Sequence, residues 1–376
     1  MFILLLINPF YTILLSRAGG IGITSIFAIL LFLESLVIRK SFINKNLGLG
    51  AICIGLYLAY SINNFDEESF FFYLVTIIQI PIGIAIANHL IRDSTTKPQN
   101  SSVVKVWIMF QVIGLGLYFY DTASGVSYFA FRTYVDNLGI AVNRYMDWLV
   151  VPIFLIFYAN LNDKDRRGYL NFGLTICILG IIFALTRTVI VGTLVTLLTL
   201  VSLFKMRFVY LRNFFIIALI IFFVLSISGD SNLLIDRIIN LFGTSEYDTS
   251  SSSRLNQFVG FYDFEILGKG FMSSVNGDPI IYLASFFISL IFGMGVVGIV
   301  IVISILALHL RYYILIRTKL TGELKTRATL YFATLNYLCV VLNLFPYTNY
   351  MPILALYVAM HYCLINIYKF QPRSKI

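Results

Sequence analysis

Charge is scarce in this sequence. Only 12% of the 376 residues are Asp, Glu, Lys or Arg, where a soluble domain carries about 25%. Histidine is scarcer still, with three residues, His89, His309 and His361, all in or at the ends of hydrophobic segments. Cys53, Cys177, Cys339 and Cys363 all lie inside apolar runs, and no two have C-x-x-C spacing. A disulfide framework and a zinc ribbon are thereby excluded, and no metal site built from side chains is expected. The chain opens MFILLLINPFYTILLS, without a basic leader or an A-x-A-like cleavage site. That opening reads as a retained first span rather than a signal peptide. No internal repeat is visible, which weighs against a transporter built from inverted halves.

Apolar residues fill the space that charge leaves. They make up 59% of the chain, and the mean hydropathy is +0.88. The runs are continuous and do not alternate, which excludes a β-barrel. The expected class is all-α, a polytopic membrane protein. Windows long enough to cross a core of about 30 Å fall near 2–16, 20–38, 47–62, 69–91, 103–120, 146–161, 168–185, 188–204, 213–228, 280–309, 328–345 and 350–367. The run from Gly168 to Phe204 is too long for one span, and Thr186-Arg187-Thr188 is its expected break.

Counting charges orients these twelve windows. With the N-terminus inside, 20 of the 27 basic residues fall in inner segments and 13 of the 18 acidic residues in outer ones. The positive-inside rule favours that orientation, with both termini cytoplasmic. The outer basic residues are then Arg17, Arg132, Arg144, Arg187, Arg237, Arg254 and Lys269. One outer segment, 229–279, is long and polar enough to hold a site of its own. It divides the chain into a first bundle of nine spans (1–228, with the outer loop 121–147), the large loop (229–279), and three last spans with a tail (280–376).

Within that loop, Leu233, Leu234, Ile235, Ile238, Ile239, Leu241 and Phe242 recur at helical spacing, as in a surface helix. Ser253 is placed to cap a second helix from Arg254, and Gly268-Lys269-Gly270 is expected to turn the chain back toward the bundle.

Six of the seven outer cations are Arg, whose planar fork fits phosphate and keeps its charge when desolvated. The set points to an anionic, lipid-linked substrate. Singly, each has a plainer reading. Arg187 lies between two apolar runs and either faces a polar cavity or snorkels at a helix turn. Arg254 either points to the bundle mouth or pairs with Glu246 or Asp248. Arg132 and Arg144 flank Tyr128, Phe129, Phe131, Tyr134 and Tyr145, which suit a sugar face or an interfacial belt. No outer histidine exists, so a general base is sought among carboxylates. Asp278, between Gly277 and Pro279 at the head of a long helix, leads Asp263 and Glu265, although Gly-Asp-Pro is also an ordinary helix start. Gly293, Gly295 and Gly298 are read as helix-packing positions, and His309 and His361 as structural or interfacial.

Three segments carry a resemblance: LTRTVIVGTLV around Arg187, SSSRLNQFVGFYDFEILGKG around Arg254, and DPIIYLASFFISLIFGMGVVG after Asp278. With the dozen spans and one dominant late outer loop, the chain resembles the bacterial O-antigen polymerase family, and more distantly the O-antigen ligases. The resemblance implies a glycosyltransferase that joins undecaprenyl-diphosphate-linked oligosaccharide repeat units at the outer face of the inner membrane. It implies that Arg187 and Arg254, with Arg132 or Arg144, bind the diphosphates and stabilise the departing one. Arg237, Lys269 and Tyr134 are further candidates for substrate binding, and Asp278 for the base. No cofactor, metal or nucleic acid is implied. The partners implied are the lipid-linked units, membrane lipids and a chain-length regulator. The sequence departs from the family in lacking spaced Arg-to-Gly repeats and the ligase-type histidine in the late outer loop. A flippase for the same lipid-linked unit is the reading from a different class.

Overall fold

A computed structural model describes residues 80, 82–88, 90–91, 105, 109, 142–161, 187–204, 264–270, 274–275, 278–279, 285–344 and 353–369, with the backbone alone for 142–150, 187, 190, 274–275, 278–279 and 369. Five helices are complete: α1 (Val142–Ala159), α2 (Arg187–Phe204), α3 (Phe286–Thr318), α4 (Gly322–Leu344) and α5 (Ile353–Lys369). A further helical stretch runs through 82–88. Among the described residues the only other regular structure is a minimal hairpin. In it β1 (Ser274–Val275) pairs antiparallel with β2 (Asp278–Pro279), Val275 opposite Asp278. The architecture of the described part is therefore all-α. The expected spans 2–16, 20–38, 47–62, 168–185 and 213–228 lie outside the described residues.

α4 is the hub, packing against α1, α2, α3 and α5. Every residue from Ala328 to Leu335 is buried, as are Tyr337, Leu338, Val341 and Leu342. A helix covered on all sides faces protein rather than solvent or lipid. It can therefore carry Thr329, Thr334, Asn336 and Asn343, provided their polar atoms find partners. They do: Thr329 and Thr334 donate to the carbonyls of Lys325 and Leu330, four residues back. Small residues allow close approach elsewhere. Gly192 of α2 lies against the Tyr337 ring, and Gly83 against the Ala355 carbonyl of α5.

α3 is the one helix, among the described residues, long and apolar enough to cross a membrane; Val191–Phe204 and Ile353–Tyr368 are shorter apolar helices. Yet α3 is not straight. Gly295 has φ 57° and ψ −131°, a conformation that side chains with a Cβ avoid. Distances along the helices show how far the chain folds there. Ser285 reaches Asn343 at 2.9 Å, and His309 reaches Asn336 at 3.0 Å. Asn336 and Asn343 are about 10 Å apart along α4, whereas Ser285 and His309 would be about 36 Å apart along a straight α3. The first nine residues of α3 therefore fold back over the rest. Gly298 confirms it: a Cβ there would strike the Leu290 carbonyl, eight residues earlier.

One sequence expectation is refined here and one is corrected. Gly295 and Gly298 do allow close approach, but among the described residues it is between the two halves of α3 and the strap, at the break. Asp278 does not lead directly into the helix. It lies on β2, and the helix starts seven residues later at Ser285, whose hydroxyl accepts from the Ile288 N–H as an N-cap. The straight part of α3, 296–318, is about 34 Å long, still enough to cross a core of about 30 Å.

Candidate functional site

Two features meet at the end of the bundle where α3 starts and α4 finishes, and a third lies at the break in α3. The first is the start of α2. Arg187 is its first residue, and the next, Thr188, donates to the Leu344 carbonyl at 3.5 Å. The second is a clamp on the start of α3. Asn343, beside Leu344, accepts from the Ser285 hydroxyl (2.9 Å) and the Phe287 N–H (3.0 Å), and donates to the Cys339 carbonyl (2.8 Å). The third is a strap, residues 264–270, laid across the break in α3. Lys269 N–H donates to the Phe292 carbonyl (2.9 Å), Gly270 N–H to Gly293 (3.0 Å), and Val296 N–H to Ile266 (2.9 Å). Gly268 and Gly270 take positive φ, as the turn between two docked segments requires.

These bonds decide what the site can offer an anion. The break exposes backbone groups at both new helix ends, and the strap pairs three of them, the Phe292 and Gly293 carbonyls and the Val296 N–H. At the start of α3, Ser285 and Asn343 engage the Phe287, Ile288 and Ser289 amides. Several of the backbone groups at both places are thereby already engaged, which leaves cationic side chains as the candidates for anion recognition here. Lys269 is half-buried on the strap, held at the break by its own backbone bond.

The charges of α3, α4 and α5 all stand at the other end. Arg311, Arg317, Lys319, Lys325, Arg327 and Lys369 cluster there, and residues 286–310, 328–344 and 353–368 carry no Asp, Glu, Lys or Arg. Glu323 in that region is held by Arg327 at 3.0 Å.

Of the candidate residues, the structure brings Arg187 to the end where α3 begins, lays Lys269 across the break, and puts Asp278 on the hairpin between strap and α3. Arg144 is in the first turn of α1. Arg132, Tyr134, Arg237 and Arg254 lie outside the described residues, as do the surface helix expected near 233–242 and the cap at Ser253. Among the described residues no group of three or more His, Cys, Asp or Glu could hold a metal ion.

A second polar region was missed from sequence. Inside the bundle, His309 of α3 bonds Asn336 of α4 through Nδ1 (3.0 Å) and Tyr357 of α5 through Nε2 (3.0 Å). Asn336 donates on to the Thr199 hydroxyl of α2 (3.1 Å), which donates to the Val195 carbonyl (2.8 Å). Because the Asn336 oxygen can only accept, His309 carries its proton on Nδ1 and Nε2 accepts from the Tyr357 hydroxyl. One directed chain thus ties four helices together. His361 sits edge-on to His309, ring centroids 5.2 Å apart, with its Nδ1 3.4 Å from the Tyr312 hydroxyl. Its Nε2 is buried with no hydrogen-bond partner among the described residues. Two signals could have found these regions. Asn336 and Asn343 are seven apart on an apolar helix, hence on one face, and Asn276-Gly277 is the strongest short hairpin signal.

Comparison with known proteins returns no match to any family model, curated protein or solved structure.

Proposed function

We propose that the chain is an O-antigen polymerase, a multi-span glycosyltransferase of the bacterial inner membrane with about twelve spans, both termini cytoplasmic and its active face periplasmic. It joins oligosaccharide repeat units carried on undecaprenyl diphosphate. An acceptor hydroxyl attacks the anomeric carbon of the growing chain, and the bond from that carbon to the diphosphate oxygen breaks. Undecaprenyl diphosphate leaves with the electron pair, and Asp278 takes the hydroxyl proton. Arg187 and Arg254, aided by Arg132, Arg144, Arg237 and Lys269, hold the two diphosphates and stabilise the charge growing on the leaving one. Tyr134 offers a ring face to sugar. The reaction uses no nucleotide sugar, metal or cofactor.

The observation that carries this reading is the separation of charge. The cations of α3–α5 stand at one end, while Arg187 opens α2 at the other, and the strap bearing Lys269 docks on the break in α3, away from that cluster. An arginine isolated between apolar runs is expensive unless it serves a polar site.

The test is reconstitution of the purified full chain with lipid-linked repeat units as sole substrate. The expected products are oligomers of two or more repeats, with the rate lowered about 100-fold or more by Arg187→Ala, as for other lost donors to a developing anion. Wild-type rates in both Arg187→Ala and Arg254→Ala would overturn the assignment.

A second reading, transport of the same lipid-linked unit across the membrane, is favoured by two observations. Broken helices line transport sites in many carriers, and histidines inside a bundle often mark proton paths. Translocation of a labelled unit across liposomes without bond formation would establish it. The absence of a histidine from 229–279 disfavours a ligase.

A further inference from the structure

α3 presents a continuous outward face that none of the described helices covers. Val296, Val300, Ile303, Leu306, Leu310 and Ile314 are all exposed, at the three- and four-residue steps that make one side of a helix. The stripe begins just after the break at Gly295 and runs about 27 Å, the thickness of a bilayer core. Its one hydroxyl, Ser304, donates to the Val300 carbonyl at 2.7 Å, so the stripe leaves no side-chain donor bare.

The stripe ends on two exposed arginines, Arg311 and Arg317, one turn either side of Ile314. Arg317 touches the Tyr313 hydroxyl at 3.5 Å, and neither arginine is in a salt bridge among the described residues. Glu323, the carboxylate of the α3–α4 turn, is already held by Arg327. At the same level Tyr368 stacks on Tyr312, centroids 5.9 Å apart, and its hydroxyl reaches the Tyr312 carbonyl. That pair faces the bundle, since Tyr312 is buried, so the foot of the stripe is marked by the two arginines, as at the cytoplasmic end of a membrane span.

We infer that this face seats an anionic phospholipid of the leaflet at the basic end. Its acyl chains lie along Ile303, Leu306, Leu310 and Ile314, and its phosphate rests between Arg311 and Arg317. The charge complementarity is one-sided, since two cations outside any salt bridge face a surface with no free carboxylate nearby among the described residues. A zwitterionic lipid brings its own cation to the same place and gains less. The inference rests on the membrane location proposed above but not on the glycosyl-transfer chemistry. The site lies at the end of α3 opposite the strap.

The test is native mass spectrometry of the full chain in detergent, titrated with phosphatidylglycerol or phosphatidylcholine. Wild type is expected to hold phosphatidylglycerol selectively. Selectivity should fall about fivefold for either Arg311→Gln or Arg317→Gln and about 30-fold for the pair, following the worth of a basic residue near an anionic lipid surface. The double Lys variant should keep it. Removing charge elsewhere, with Arg373 and Lys375 changed to Gln, should leave it unchanged. Equal loss in that tail variant, no preference in wild type, or displacement by millimolar glycerol phosphate would each overturn the inference. A protein that stays soluble without detergent would instead contradict the membrane location itself.

Discussion

Glycine makes the fold of α3 possible, and two positions test it. Gly298 has no room for a Cβ against the Leu290 carbonyl, which is backbone and cannot swing aside. Gly298→Ala should therefore destabilise by more than the usual cost of a helical surface change, and Gly295→Ala should cost about 1–3 kcal/mol through its positive φ. Thermal unfolding in detergent measures both. Gly295→Ala with unchanged stability would mean that α3 runs straight. The Tyr331 hydroxyl, which donates to Asn160 Oδ1 at 3.1 Å and links α4 to the end of α1, is a milder case. Tyr331→Phe keeps the packing and removes one buried bond, and should cost about 0.6–1.7 kcal/mol.

At the scale of elements, what was legible in the sequence was the existence of the helices. Windows at 146–161, 188–204, 328–345 and 350–367 correspond to α1, α2, α4 and α5, because a continuous apolar run has few other ways to satisfy its backbone. Arg187 was legible as a boundary for the same reason. The break in α3 was not. Three glycines in an apolar helix serve packing or a break equally well, and the partners that decide lie far off: the strap some 25 residues earlier, Asn343 58 residues after Ser285. The His309–Asn336–Thr199 chain was hidden likewise, since its members come from three helices and only packing brings them together. Four candidate site residues, Arg132, Tyr134, Arg237 and Arg254, rest on sequence alone.

The fold-back has a direct test. With Cys53, Cys177, Cys339 and Cys363 replaced by Ala, Ser285→Cys and Asn343→Cys should join on mild oxidation and lose both maleimide-reactive thiols. The same partners sit 2.9 Å apart in the native pair. A straight α3 would carry Ser285 well beyond reach, and both thiols would stay reactive.

For the whole molecule, the central proposal is that cations at the end opposite the basic cluster serve a lipid-linked diphosphate in polymer formation. The chain's net charge of +9 does not express this, since the segments read as inner carry +15 (20 basic, 5 acidic) and those read as outer −6 (7 basic, 13 acidic). What matters is the few arginines on the other side. Arg187→Lys keeps the charge but loses the fork, so it should retain part of the activity that Arg187→Ala loses. Polymer yield in complemented cells measures that difference.

The most direct measurement is a gel of surface lipopolysaccharide from source cells lacking this chain, complemented with wild type, Arg187→Ala or Arg254→Ala. The account predicts core bearing a single repeat unit in the null, a full ladder with wild type, and no ladder with either variant. Bare core in the null would show that export or ligation had failed instead, and would contradict the polymerase reading.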